Sequence, residues 1–278
     1  MKPRIAAIIH EYDRLEARRL FMRPKPKCLL GDMFASLRKR GYIANVLATA
    51  SAHDDADIAI LHVDTTRTPL EYSDLARRFK LCLNVKVTDI SKSLISEALM
   101  TRTDDWRGPV IVKTDLNYRG LSEAKKNKRA KALGRPPPFP DVAWAKAYET
   151  YPSIDQVPAW VWADTTLVVD RFLAERVPDG FAMCHYVFCG EYEFCARFVG
   201  PHQLVKAKDC FRVEEFPVPQ HIRDRRSDLG FDFGKFDFVH YEDKDYLIDA
   251  NRTPGRIPAS GGASVEGMVD GFLSLITK

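Results

Sequence analysis

The chain has 278 residues, 45% of them hydrophobic and 29% charged, enough for one large domain or two smaller ones with a substantial core. Lys and Arg number 42 against 38 Asp and Glu, and the resulting formal charge of +4 excludes the broad basic footprint of a dedicated nucleic-acid binder. No apolar run approaches the roughly 18–20 residues of a membrane helix, and charges cut short the apolar start in MKPRIAAIIHEYDRLE, so neither a membrane span nor a signal peptide is expected.

In chain order, RIAAIIH (4–10) reads as a strand and LLGDMFASLRKRGY (29–42) as a helix ended by Gly41. ADIAILHVD (56–64) is a second strand, and PLEYSDLARRF (69–79) a second helix, with Pro69 suited to its first turn. This βαβα order predicts a small layered unit with a mainly parallel sheet over residues 1–88. DISKSLISEAL (89–99) is helical in pattern, with Asp89 or Ser91 as cap, and GPVIVKTD (108–115) is a β-branched strand. From Arg119 to Pro140 the composition shifts to a charged, helix-prone stretch and a Pro-rich breaker, an exposed excursion by this reading. Strand-like runs resume at 165–173, 181–190 and 192–200, followed by a helix at 219–230 with Gly230 just past its end. KFDFVHY and DYLIDAN then flank the polar EDKD, which is a hairpin signal. The first third is therefore expected to be α/β with a parallel sheet, and the rest α+β with antiparallel sheets.

The hairpin carries the chemistry. Residues i and i+2 of a strand share a face, so Lys235 pairs with Asp237 and Asp249 with Asn251. A three-residue loop, Asp243–Asp245, sets Asp237 opposite Asn251 and diagonal to Asp249; a loop of two or four residues separates the pairs onto opposite faces. The odd loop is expected, with Phe236, Phe238, Ile248 and Ala250 as the apolar back. Two carboxylates and an amide oxygen form a hard-oxygen site suited to Mg²⁺ shared with phosphates rather than to zinc. The seven His show no HExxH or HxxxH pair, and the six Cys lack CxxC spacing and read as buried thiols of a cytoplasmic protein. The competing reading is the solvated side of an edge hairpin.

Taken in order, these pieces resemble the ATP-grasp superfamily of ATP-dependent ligases. KFDF…YLIDANRTPG is similar to that family's metal-binding close, which implies Asp237, Asp249 and Asn251 as ligands of one or two Mg²⁺ ions; Asp249 stands where Glu is more usual. Lys235 then faces the transferred phosphate, Lys113 in VIVKT and Lys92 in DISKS contact the triphosphate, and LVVDRFLAER resembles the adenine-binding hinge. There Asp170 is implied near the exocyclic amine, the main chain of Arg171, Phe172 and Leu173 at the ring edge, and Glu175 at the ribose. Taken alone, each lysine is equally a snorkelling surface residue, and Glu175 a solvated acid.

The resemblance covers about residues 85–278. It implies a small nucleotide-covering lobe (89–172) and a metal-binding lobe (173–278). The implied activity consumes ATP, activates a small-molecule or peptide carboxylate as an acyl phosphate, joins it to an amine and releases ADP. Arg252, with Arg197, Lys206 and Lys208, is a candidate carboxylate contact; each is equally a surface cation. A phosphotransferase and a non-catalytic nucleotide-binding module on the same frame are the alternatives. The sequence departs from the family's Gly-rich phosphate loop: Asn117–Gly120 is the nearest equivalent, and the basic run Lys125–Lys131 is a lid, a solvated insertion or a dock for an acidic partner. HEYDR (10–14) and DTTRTP (64–69) follow strands and could line the cleft. Nothing in the sequence names the substrate or decides between a monomer and a homo-oligomer.

Overall fold

The computed structural model describes residues 2–19, 22–49, 55–145, 147–256 and 262–276. Its first lobe contains β1 (Arg4–Ile8), the hairpin β2 (Glu16–Arg19) and β3 (Met22–Pro26), α1 (Leu29–Lys39), β4 (Ile43–Leu47), β5 (Ile58–Leu61), α2 (Leu70–Arg77) and β6 (Leu81–Leu83). The order β4-β1-β5-β6 is parallel throughout, as the βαβα alternation requires. β1 and β5 read as nearly unbroken apolar runs because helices and loops cover both faces of the sheet. The β2–β3 hairpin is an addition that its sequence, EARR and MRPKP, does not announce by any apolar alternation.

The second group begins with α3 (Lys92–Ile95), a single turn where eleven residues of helix are expected. The backbone leaves the helix at Ser96 because Glu97 pairs with a distant strand: Glu97 N donates to the Leu247 carbonyl at 2.8 Å. Next come β7 (Val110–Thr114), a tight 3₁₀ turn at Asn117–Gly120, α4 (Leu121–Ala132), β8 (Glu149–Tyr151), α5 (Ala159–Ala163) and β9 (Leu167–Arg171). β8-β7-β9 is a small antiparallel sheet packed on Ile154, Val157 and Val161.

The third group is a six-stranded antiparallel sheet formed by β10 (Glu175–Val177), β11 (Gly180–Cys189), β12 (Tyr192–Gly200), β13 (Arg212–Glu215), β14 (Phe233–Tyr241) and β15 (Lys244–Asn251). Its order is β13-β12-β11-β14-β15, with β10 on β11; α6 (Gln220–Asp228) covers one face. Edge-to-face rings fill the space beneath: Phe236 lies 5.1 Å from Phe188 and 5.0 Å from Phe231.

The last element, α7 (Val265–Ile276), buries Met268, Val269 and Phe272 in the same core as α1. The i, i+3, i+4, i+7 spacing from Val265 to Phe272 is a helical signal that the sequence reading passed over. Gly271 permits the close packing: a Cβ there would stand 2.0 Å from the Cys189 carbonyl oxygen. Among the described residues no helix is long and apolar enough to cross a membrane.

Candidate active site

The hairpin β14–β15 turns through two residues, Glu242 and Asp243, both with positive φ (48° and 62°), which is the geometry of a tight hairpin turn. The expected three-residue loop is therefore wrong. Continued without interruption, the two-residue register would set Asp237 opposite Ile248 and separate the two polar pairs onto opposite faces. A bulge corrects this. Phe238 pairs with Leu247 and Asp237 with Asp249, so Ile248 is the extra residue. Glu97 holds the bulge by donating its N–H to Leu247 O and accepting Leu247 N at 2.8 Å on Oε2. Asp237 thus stands directly opposite Asp249, and Lys235 opposite Asn251. The apolar back changes accordingly: Leu247 joins Phe236, Phe238 and Ala250, while Ile248 turns toward Ala98 and Leu173.

Lys235, Asp237, Asp249 and Asn251 together line a cavity of about 480 Å³. Two like charges facing across a strand pair repel unless compensated, and each has an ammonium. Lys235 Nζ lies 2.7 Å from Asp237 Oδ1, and Lys92, only 2% exposed, is paired with Asp249. Burial pushes the Asp237 carboxyl upward, but the Lys235 ammonium foremost outweighs it and holds the group below the usual carboxylate range. His185 Nε2 stands 3.6 Å from Asp237. Burial takes this imidazole down to about 4, so it is neutral near pH 7. The sequence reading missed His185 because its partner lies on another strand.

The donor set fits a magnesium ion. It offers two carboxylates in direct register and an amide, all hard oxygens. Among the described residues no group of three or more His, Cys, Asp or Glu forms a metal cage, so an ion here would need phosphate or water oxygens as well. Asn251 Oδ1 meanwhile accepts Thr253 N at 2.8 Å and Thr253 Oγ1 at 3.1 Å, which steadies the chain leaving β15.

Of the nucleotide residues, Lys113 and Asp170 come together. Lys113 Nζ donates to Asp170 Oδ2 at 2.7 Å, and Ser96 Oγ donates to the same oxygen at 2.9 Å. Asp170 is fully buried, and it positions Lys113 instead of standing open to an exocyclic amine. The backbone N–H groups of Arg171, Phe172 and Leu173 bond to the carbonyls of Ala98, Pro109 and Arg171. This hinge nevertheless lines a narrow apolar slot with Ile111, Met183, Val239 and Ile248. Glu175, implied at the ribose, is buried, and Arg197 holds its carboxylate. Arg197 is in turn shared with Glu214, so it is not an open carboxylate contact. Lys206 and Lys208 are exposed, and Lys208 has its nearest acid, Asp209, at 4.0 Å.

Arg252 is the plainest correction. It is 0% exposed, and its guanidinium donates to the carbonyls of Val63 at 3.1 Å, Val87 at 2.9 Å and Thr65 at 2.5 Å. It does not line the cavity. It ties the end of β15 to two loops of the parallel lobe and has no room for a substrate carboxylate. Burial moves it down to about 10, which leaves it charged.

The basic segment is also not a free excursion. Lys126 is buried against Asp13 at 2.6 Å and donates to Asp64 O at 2.6 Å, Arg129 donates to Tyr12 O, and Glu123 accepts Thr66 N at 2.6 Å. Helix α4 is thereby docked on HEYDR and DTTRTP, the two loops expected at the cleft. Ahead of it, Tyr118, Arg119 and Gly120 are all left-handed (φ 46°, 62° and 77°). Such backbone is costly for the two non-glycine residues. It brings Asn117, Tyr118 and Ser122 to the cavity above Lys235, where the expected loop belongs.

No protein-family model matches the sequence, and no curated protein matches it. Solved structures do match over nearly the whole chain. The ATP-grasp ligase PsnB complexed with minimal precursor, Mg and ADP superimposes with a TM-score of 0.58 at 11% identity, covering 97% of this chain and 96% of that one. D-alanine–D-alanine ligase from Bacillus anthracis gives 0.51 at 11% identity, covering 98% and 97%. The macrocyclase MdnC bound with precursor peptide MdnA from Microcystis aeruginosa MRC gives 0.54 at 10% identity, covering 97% and 99%. The chain has the ATP-grasp fold: a parallel α/β lobe, a small antiparallel lobe and an antiparallel sheet that carries the paired carboxylates.

Proposed function

We propose that the protein is an ATP- and magnesium-dependent ligase that activates a carboxylate as an acyl phosphate and joins it to an amine, releasing ADP. The observation that carries this reading is the direct cross-strand pairing of Asp237 with Asp249, flanked by Lys235 and Lys92, on the wall of one cavity. Magnesium on Asp237, Asp249 and Asn251 would neutralise phosphate charge. Lys235 would face the transferred phosphoryl group, and Lys92 and Lys113 the remaining phosphates. The adenine would take the slot along Arg171–Leu173, which at about 50 Å³ would have to widen to admit it. The substrate carboxylate forms a bond to the γ-phosphorus as the bond to ADP breaks; the amine then forms the C–N bond and expels phosphate. The protein supplies position and charge, and this sequence of steps requires no protein nucleophile. The precursor peptides bound by PsnB and MdnC make a peptide carboxylate as reasonable a donor as a free acid.

The test mixes protein, Mg-ATP, hydroxylamine and a panel of free and peptide carboxylic acids. Hydroxamate formation with ADP release is expected, and Asp237→Asn should reduce it by about 100-fold or more, the scale of losing one preorganised charge-stabilising group. AMP in place of ADP overturns the proposal. A phosphorylated product that hydroxylamine does not intercept would identify a phosphotransferase instead.

A further inference from the structure

Glu97, just past the single turn of α3, meets three elements at once. Its N–H donates to the Leu247 carbonyl on β15 at 2.8 Å, and Leu247 N donates back to Glu97 Oε2 at 2.8 Å. Residues that exchange two bonds across antiparallel strands ordinarily use both main-chain carbonyls. The Glu97 carbonyl is turned to the hinge instead, where Arg171 Nη2 donates to it at 3.0 Å. The carboxylate takes its place toward Leu247. The remaining contacts of that carboxylate come from α6: His221 Nε2 stands 3.0 Å from both oxygens, and Arg225 Nε 3.1 Å from Oε1.

Leu247 is the last residue before the bulge. A regular strand sends consecutive side chains to opposite faces, so it could not give both Ile248 and Asp249 to the cleft. With the extra residue β15 does so: Ile248 lines the apolar slot along the hinge, and Asp249 lines the main cavity opposite Asp237. β15 is also the last strand of its sheet, without a neighbouring strand on its outer side. The register of such a strand is secured only by what pairs along that outer side. Beside the bulge, Glu97 takes both main-chain groups of Leu247.

We infer that Glu97 is a positioning residue for the metal pair: its side chain pins the outer edge of β15 at the bulge and so keeps Asp249 in register with Asp237. The role requires reach rather than charge. The acceptor must span from a backbone fixed by Leu247 O and Arg171 back to Leu247 N, and an amide oxygen accepts that bond as a carboxylate does. The contacts with α6 require the opposite, a charge without a fixed reach, since the long Arg225 side chain can follow a shorter acid. The inference rests on the ligase reading only in taking Asp237 and Asp249 as the metal pair.

The experiment titrates Mn²⁺, which takes the same hard-oxygen ligands as magnesium, into the ADP-loaded protein and reads bound metal by electron paramagnetic resonance. Thermal melts establish that each variant is folded. Glu97→Asp keeps the charge and shortens the reach by a methylene; it should weaken Mn²⁺ binding at least about tenfold, the scale on which groups behind metal ligands act. Glu97→Gln keeps the reach and removes the charge; it should bind Mn²⁺ within about threefold of wild type. A role limited to the ion pairs with α6 predicts the reverse order. The inference is overturned if Glu97→Asp binds Mn²⁺ as wild type does, or if Glu97→Gln loses as much as Glu97→Asp. Failure of the ligase reading shows in the wild-type protein instead, as no Mn²⁺ bound with ADP, or as no hydroxamate although the metal binds.

Discussion

Replacing Arg252 with Met separates a structural tie from a catalytic contact. The substitution removes donors from the buried carbonyls of Val63, Val87 and Thr65. Hydrogen bonds to a charged group are worth about 1.5–3 kcal/mol each, so the lost bonds amount to roughly 4–9 kcal/mol. Against this stands relief from burying the charge: burial pushes the guanidinium down from its ordinary range to about 10, which corresponds to about 3 kcal/mol. The net expectation is a loss of roughly 2–6 kcal/mol. At about 2–4 °C per kcal/mol for a chain of this size class, the melting temperature should fall by at least about 4 °C. Urea denaturation and a thermal melt read the stability, and Mg-ADP affinity measured well below the lowered transition reads the site. A variant that melts like wild type but has lost hydroxamate formation would refute the tie and restore Arg252 as a substrate contact.

Acid should destabilise the fold through its buried histidines. His10, His62 and His185 are each held at about 4, below the ordinary 6.5, chiefly by burial. The folded state therefore keeps them neutral while the unfolded state protonates, so their contribution is complete above about pH 6.5 and declines as pH falls toward 4. The slope is up to about 1.4 kcal/mol per pH unit for each, and urea melts between about pH 7.5 and pH 5 that show no decline would contradict it. Gly271→Ala should lower stability by roughly 1–3 kcal/mol, because the new methyl meets the Cys189 carbonyl. Gly255→Ala, with nothing within 4 Å of a Cβ, is the control, and equal melting of the two variants would show that α7 yields freely.

Much of the architecture is local in origin and was therefore open to reading. β-branched runs bounded by Gly, Pro and polar clusters located most of the strands, the apolar rhythm located α1 and α2, and Gly230 marked the end of α6. Same-face pairing of Asp249 with Asn251, and of Lys235 with Asp237, follows from the two-residue period of any strand. The two faults at the hairpin have one cause. Whether the pairs meet depends on the bulge at Ile248, and that bulge is held by Glu97, some 150 positions away along the chain. The same distance in sequence concealed Arg252, whose neighbours arrive from two loops of another lobe, and Lys126, which belongs to a basic run by composition but to Asp13 by position.

By itself, the amino-acid sequence determined the order of elements, the apolar faces and the kinds of side chain available at the strand ends, since periodicity acts between residues a few positions apart. Only the folded chain decided which cations compensate which acids and which polar atoms stay open. Those outcomes depend on burial and on backbone brought together from distant segments. Lys92 is consequently the partner of Asp249, and His62 is a ring whose Nε2 is left without a hydrogen-bond partner.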